Sequence, residues 1–260
     1  MIRSRDNAKV KDMRRLRRCK GDRALLEGPH LVGDAAAAGV PLEVVLAAPD
    51  FLVSEAGREL VARLPREPLE VERRLLDGLC DTDSPRGVLA AARLPRGGVA
   101  TLPRRPGVYL FLDGVQDPGN LGAIARSAEA AGAVALALAP GSAHPNHPRA
   151  LRASAGSLLR LPAAVETTAA ELARHLAPAS PTWLALTPRG GRDLAQVPAE
   201  GTLVLAVGAE GQGLSAELAA AVAPLPVSIP LAGQVESLNA AVAVAVALFD
   251  LARRRSAERV

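Results

Sequence analysis

The sequence predicts an α/β protein in two parts, a small α/β domain followed by a larger domain with a parallel sheet. Short aliphatic, β-branched runs alternate with longer helical patterns along almost the whole chain. A stretch rich in Pro, Gly and Arg, LPRGGVATLPRRPG, interrupts that alternation at residues 94–107 and reads as a linker. At 260 residues and 49% hydrophobic, the chain has material for one large core or two smaller ones.

Residues 7–20 read as a basic amphipathic helix. Val10, Met13 and Leu16 share one face, while Arg14, Arg15, Arg17 and Arg18 crowd the rest. Such a face is either simply solvated or a surface for RNA phosphates. A short helix in GPHLVGDAAAAG ends at Gly39. A strand at 42–47, a helix at 54–64, the strand LEVE, a helix at 73–79 and a strand at 87–92 follow. These elements suffice for a compact α/β sandwich, so the first domain is placed at 1–93, the linker at 94–107 and the second domain at 108–260.

Beyond the linker, the strand VYLFLDGV leads to a helix over 121–131 that stops at Gly132, then to the strand AVALALA. A loop, PGSAHPNHP, precedes a helix around 149–157. Strand-like LPAAV, a helix over 169–176 and the strand TWLALT come next. A Gly-rich turn, the strand TLVLAVG and a helix over 215–222 complete the alternation. This order predicts a parallel sheet with helices on both faces. The closing stretch, VSIPLAGQVESLNAAVAVAVALFD, is a short strand, a turn holding Pro230 and Gly233, and a helix with Ser237 as its expected N-cap. From Leu238 to Phe249 that helix is almost wholly apolar, so it belongs to deep core or to an interface. It is too short for a membrane span.

A net charge of +4, carried nearly all by Arg, favours a polyanionic partner, since guanidinium forks match phosphate. Aromatic residues are only 2% of the chain, which argues against recognition of nucleic acid by stacking alone. Cys19 and Cys80 have no metal or redox spacing and suit a reducing compartment. Residues 3–18 are charged throughout with no apolar core, so no signal peptide is expected and a cytoplasmic location is. His144 and His147 have H-x-x-H spacing but lie in a Pro-broken loop without a third ligand, so no metal is expected. His30 and His175 read as surface or packing residues.

Three loops follow strands of the second domain, where open parallel sheets place their ligands. In DGVQDPGNLGAIAR, Asn120 either caps the helix or faces a substrate, and Arg126 either pairs with Glu129 or acts at a site. In GAEGQGLS, glycines surround Glu210 without the order of a dinucleotide fingerprint and without a Walker lysine. In the closing stretch, Glu236, Ser237 and Asn239 gather where strand meets helix, either as caps or as part of a pocket.

Together the loops resemble the three signature motifs of the SpoU (TrmH) family of RNA ribose 2′-O-methyltransferases. DGVQDPGNLGAIARSAEAAG resembles the first motif, LVLAVGAEGQGLS the second and IPLAGQVESLNAAVAVAVALFD the third, in the family's order. LLEGPHLVGDAAAAGVPLEVVLA and LCDTDSPRGVLAA resemble the L30e-like substrate-binding domain that many members carry. Ala240 and Leu121 depart mildly from the family pattern.

The resemblance implies a SPOUT-type methyltransferase domain whose C-terminal segment threads a trefoil knot, and a homodimer that would cover the apolar final helix. It implies S-adenosylmethionine held near Thr187, Gly208, Ile229 and Leu238. It implies a catalytic set of Arg126, Asn120, Glu210, Ser237 and Asn239, with Arg126 acting across the dimer interface as proton acceptor or as electrostatic stabiliser. The RNA substrate it implies is most often 23S ribosomal RNA. A tRNA substrate and a non-catalytic ribosome-assembly role are the alternatives, and no membrane or metal partner is implied.

Overall fold

The structure, a computed structural model, describes residues 1–18, 21–209 and 211–257. It divides into two compact units, Met1–Arg96 with His144–Arg160, and Gly97–Ala143 with the chain from Leu161 onward. The segment 144–160, which the sequence places in the later part of the alternation, thus packs within the first unit.

The first unit runs α1 (Ala8–Leu16), β1 (Arg23–Glu27), α2 (Pro29–Ala37), β2 (Leu42–Ala47), α3 (Pro49–Leu52), α4 (Glu55–Val61), β3 (Leu69–Glu70), α5 (Arg73–Asp77) and β4 (Val88–Arg93). Its sheet has the order β1-β4-β2-β3 and is mixed: β4 lies antiparallel to both β1 and β2, and β3 is parallel to β2. Asn7 opens α1 by accepting the Lys9 N–H at 2.9 Å. Val10, Met13 and Leu16 bury on Leu25, Leu46, Leu76 and Leu89. The helix closes at Leu16 rather than at residue 20, because the Arg18 N–H turns back to the Arg15 carbonyl at 3.2 Å and Arg17 becomes the C-cap. Cys19 and Lys20 lie outside the described residues.

The second unit begins with β5 (Val108–Asp113), α6 (Pro118–Ala130) and β6 (Ala135–Leu138). The chain then forms α7 (Pro148–Ala153) and α8 (Ser157–Arg160) in the first unit. The single helix expected there is broken because Ala155 and Gly156 both adopt left-handed backbone, at φ 46° and 83°. β7 (Ala163–Ala164), α9 (Ala169–Leu176), β8 (Thr182–Leu186), β9 (Arg192–Asp193), β10 (Leu203–Gly208), α10 (Ala216–Val222), β11 (Leu225–Ser228) and α11 (Ala240–Ala257) complete the second unit.

Its seven strands are ordered β7-β6-β5-β10-β8-β11-β9, with every pairing parallel. Strand parity sorts the core. Tyr109, Phe111, Ala135, Ala137, Trp183, Val204 and Ala206 pack on Leu172 and Leu176 of α9 and Leu218 of α10. Leu110, Leu112, Leu136 and Leu205 point the other way and are fully buried, on the side left to α6 and α11, which pack against each other.

α6 starts before residue 121. Pro118 occupies its first turn, and Asp117, not Asn120, is the cap, accepting the Asn120 N–H at 2.8 Å. α11 starts later than expected. Its cap is Asn239, whose Oδ1 accepts the N–H of Ala241 at 3.0 Å and of Val242 at 3.4 Å, so Ser237 stays in the loop before it. At the other end α11 runs past its arginines. Arg254 pairs with Asp250 at 2.9 Å and donates to the carbonyls of Leu194 and Val197, while Arg255 donates to those of Ala199 and Gly201.

Candidate active site

In the second unit the carboxyl ends of β10, β8 and β11 lie side by side, and a cavity of about 760 Å³ opens beyond them. Leu186, Thr187 and Pro188 line it after β8, Gly208, Ala209, Gly211, Gln212 and Gly213 after β10, and Ile229 and Leu231 after β11. Glu236, Ser237, Leu238 and Asn239 lead into α11, where Ala240 and Ala243 finish the wall. Thr187, Gly208, Ile229 and Leu238 therefore share one cavity with Ser237 and Asn239. Its wall mixes apolar side chains with glycine backbone and with the polar side chains of Thr187, Gln212, Glu236, Ser237 and Asn239, a lining suited to a flat heterocycle carrying polar groups.

Each wall is fixed locally. Thr187 is tied to the end of β11, its N–H and Oγ1 both bonding the Val227 carbonyl, at 2.8 and 3.2 Å. The loop after β10 folds back on itself, with reciprocal bonds between Ala209 and Gly213 at 3.1 and 3.0 Å. Position 208 admits only glycine there, because a Cβ would sit 2.2 Å from the Gly213 carbonyl. Arg189, just after β8, donates to the Val235 carbonyl at 3.2 Å and anchors the segment leading to α11.

The polar residues divide. Asn239 Nδ2 donates to Asn120 Oδ1 at 3.2 Å, joining the start of α11 to the first turn of α6. Arg126 lies further along α6 on its exposed side, outside the cavity lining, and has no ion-pair partner among the described residues. Glu210 lies outside the described residues. One contributor was not singled out from the sequence: Asp113, which ends β5 beside Gly208 and accepts the Ser215 N–H at 2.7 Å. An acidic residue closing a central strand opposite a glycine loop is the signal that could have found it.

In the first unit, Arg14, Arg15 and Arg18 are exposed, with no ion-pair partner among the described residues. Arg17 is half-buried and bonds Asp81 at 3.2 Å. Asp81 also meets Arg152 at 3.4 Å, and Arg152 pairs at 2.8 Å with Glu27, whose side chain is 2% exposed. Burial pushes the Glu27 carboxyl above its ordinary value, against the opposing charge of Arg152. Burial likewise pushes the Cys80 thiol up to about 12, so it is not a reactive thiolate. His144 and His147 fold onto their own loop, accepting the N–H of Asn146 and Arg149, each at 3.1 Å. His175 is buried between the Leu102 carbonyl at 3.0 Å and Arg104 at 3.3 Å, while His30 is exposed. Among the described residues no three His, Cys, Asp or Glu side chains gather as metal ligands, and no helix is long and apolar enough to cross a membrane.

Comparison with known proteins places this geometry. Residues 107–249 match the SpoU rRNA Methylase family, and residues 7–90 match the MRM3-like substrate binding domain. The 23S rRNA (guanosine(2553)-2′-O)-methyltransferase RlmP of Bacillus subtilis is 30% identical over 255 residues, spanning 96% of this chain and 98% of the relative. The SpoU methyltransferase AviRb of Streptomyces viridochromogenes, solved in complex with AdoMet, superposes with a TM-score of 0.87 at 28% identity, over 96% of this chain and 98% of that one. An AdoMet-bound rRNA methyltransferase of Sinorhizobium meliloti gives a TM-score of 0.82 at 28% identity, over 97% of both chains. With its parallel sheet, its cavity at the strand ends and a family match across most of the second unit, the chain belongs to the SpoU rRNA methylase family.

Proposed function

We propose that this protein is an S-adenosylmethionine-dependent RNA methyltransferase that modifies a ribose 2′-hydroxyl in 23S ribosomal RNA. The observation that carries the reading is the cavity at the ends of β8, β10 and β11, in a chain of this family. The residues present fit the cofactor. Leu186, Ile229, Leu231 and Leu238 offer apolar contact to an adenine, and the glycine-rich backbone after β10 admits close approach by polar groups.

When bound, S-adenosylmethionine supplies an electrophilic methyl group, and its transfer forms an O–C bond to the ribose as the S–C bond breaks. Thr187, Gly208, Ile229 and Leu238, which line the cavity, would hold and orient the cofactor through their backbone. Asn120 and Asn239, bonded to each other, fix the entrance to α11, and Ser237 completes the pocket. Much of the rate comes from such positioning. The ribose oxygen must shed its proton, which passes to solvent water as the O–C bond forms. A guanidinium is a poor base, so Arg126 holds the adjacent phosphate and stabilises the charge developing on the oxygen. Glu210 has the role of orienting the active-site loops.

Arg126 serves the site of a second copy. The exposed apolar side of α11, with Val242, Val246 and Phe249 each 44–52% exposed, is the surface a homodimer would cover. Threading of the C-terminal segment into a trefoil knot, a division into a substrate domain at 1–93, a linker at 94–107 and a catalytic domain at 108–260 that lends residues 144–160 to the first unit, and a cytoplasmic location belong to the same proposal. Arg14, Arg15 and Arg18 supply phosphate contacts for the RNA, while Arg17 is largely committed to Asp81. The 2′-hydroxyl target sets RNA apart from DNA. Relatives named for 23S rRNA favour that substrate over tRNA.

The test is methyl transfer from labelled S-adenosylmethionine into separate pools of ribosomal RNA and tRNA that lack native modifications, beside calorimetry of cofactor binding. Label in ribosomal RNA alone supports the proposal, and label in tRNA alone moves the substrate. A protein that neither labels RNA nor binds the cofactor is the non-catalytic assembly factor.

A further inference from the structure

The cavity wall after β10 is a glycine-rich loop tied to itself by the bonds between Ala209 and Gly213. Gly211 and Gly213 have left-handed backbone, at φ 83° and 71°, which glycine adopts without the cost a Cβ would add. The loop's entry is fixed by β10, where Gly208 sits in register with Asp113 of β5. Its exit is fixed by the bond from the Ser215 N–H to Asp113 Oδ2 at 2.7 Å. Asp113 thus closes the loop from below, touching both ends.

Asp113 is itself pinned. Ser142 Oγ donates to the Leu112 carbonyl at 3.0 Å and accepts the Gly114 N–H at 3.2 Å, so one hydroxyl grips the backbone on either side of the aspartate. Gly114, at φ 77°, turns the chain away directly afterwards, and a side chain placed there would approach Ala209 at 3.7 Å. The Ser215 hydroxyl is occupied separately, accepting the Leu218 N–H at 3.2 Å as the cap of α10. Helix capping and loop closure are therefore separate functions of this corner.

We propose that Asp113 is a positioning residue for the cofactor, fixing Gly208 through the pairing of β5 with β10 and Gly211–Leu214 through the Ser215 N–H, so that these parts of the cavity wall are preformed. The inference rests on the cofactor reading of that cavity. A loop that must be ordered on binding lowers affinity by the fraction of time it is in place, and a preformed loop avoids that loss.

The test is calorimetry of S-adenosylmethionine binding to the full-length protein, with steady-state methyl transfer and thermal melting alongside. Asp113→Ala is expected to raise Kd about tenfold, the scale of one lost charge-assisted hydrogen bond. Asp113→Asn, which keeps an acceptor of the same shape, is expected to remain close to the native affinity. The kinetic signature is a rise in KM for the cofactor with a smaller change in kcat. Thr168→Ala removes the capping box of α9, away from the cavity, and is the control: it lowers the melting temperature without raising Kd. If Asp113→Ala does not fold, Asp113→Ser, too short to reach Ser215, replaces it. An unchanged Kd in the Ala or Ser variant, or a Kd raised as much by Thr168→Ala, overturns the proposal. No binding by the native protein instead overturns the cofactor reading beneath it.

Discussion

Asn239 caps α11 with its side-chain oxygen and reaches Asn120 on α6 with its side-chain nitrogen, at 3.2 Å. One amide thus serves stability and site geometry through different atoms. Asn239→Ala should lower stability by about 1 kcal/mol, the usual worth of such a cap, and also depress methyl transfer. Asn239→Asp keeps the capping oxygen and loses the donor. It should retain the native melting temperature in calorimetry while turnover falls. Equal effects of the two substitutions on melting would refute this division of labour.

Arg126 and the apolar side of α11 are linked through the proposed dimer. Arg126→Ala should reduce methyl transfer by about 10²- to 10³-fold, the scale for removing one transition-state donor, with cofactor binding nearly intact. Phe249→Glu places a charge on a residue 52% exposed and should yield monomers in sedimentation analysis, inactive although folded. Mixing Arg126→Ala with Asn239→Ala subunits should restore activity, because a mixed dimer has one complete site. A mixture that remains inactive would place Arg126 in its own chain's site.

The Glu27–Arg152 pair is the buried ion pair of the first unit, with Glu27 only 2% exposed. Removing Arg152 leaves a carboxylate in low dielectric with one fewer compensating charge. Arg152→Ala should cost about 3 kcal/mol in thermal denaturation, and adding Glu27→Gln should recover a large part of it. Without Arg152, the Glu27 carboxyl should titrate still higher, since burial is already the leading cause of its raised value.

Acid stability offers a check of opposite sign. Arg23 donates to both carboxylate oxygens of Asp12, at 2.8 and 2.6 Å, and holds that carboxyl below its usual 3.8. A depressed folded value stabilises the fold above 3.8, and the benefit fades as pH falls through the lower value. Asp12→Asn should therefore be less stable than the native chain at neutral pH. The gap in denaturant midpoint should close on acidification below 3.8.

Much of this was legible in the sequence for physical reasons. β2 and α9 fall on their expected residues, since a β-branched run and a Thr–Glu capping box are strong local signals. β1, reading RALLE, was missed because five residues without β-branching look helical until paired with β4. β9 is two residues long and exists only through its partner β11. The helix starts slipped at α6 and α11 because capping residues lie close together there, Asp117 near Asn120 and Ser237 near Asn239, and the local pattern does not choose between them. At the site, long motifs carried Gly208 and Ser237 into view. Asp113 stayed unremarked because its partner is a backbone N–H far along the chain, which leaves no pattern in side chains.

Trp183, the chain's single tryptophan, lies on β8, 7% exposed, with its ring edge-on to Phe111 at 5.7 Å between centroids. The single tyrosine, Tyr109, belongs to the same core. The first unit is thus dark to tryptophan and tyrosine emission, whereas far-ultraviolet dichroism sees helices of both units. Melts followed by the two signals coincide if the chain unfolds as one cooperative body and separate if the first unit opens alone. Trp183 shares β8 with Leu186 of the cavity wall, so a change in its emission on adding a ligand would show that filling the cavity is felt in this core.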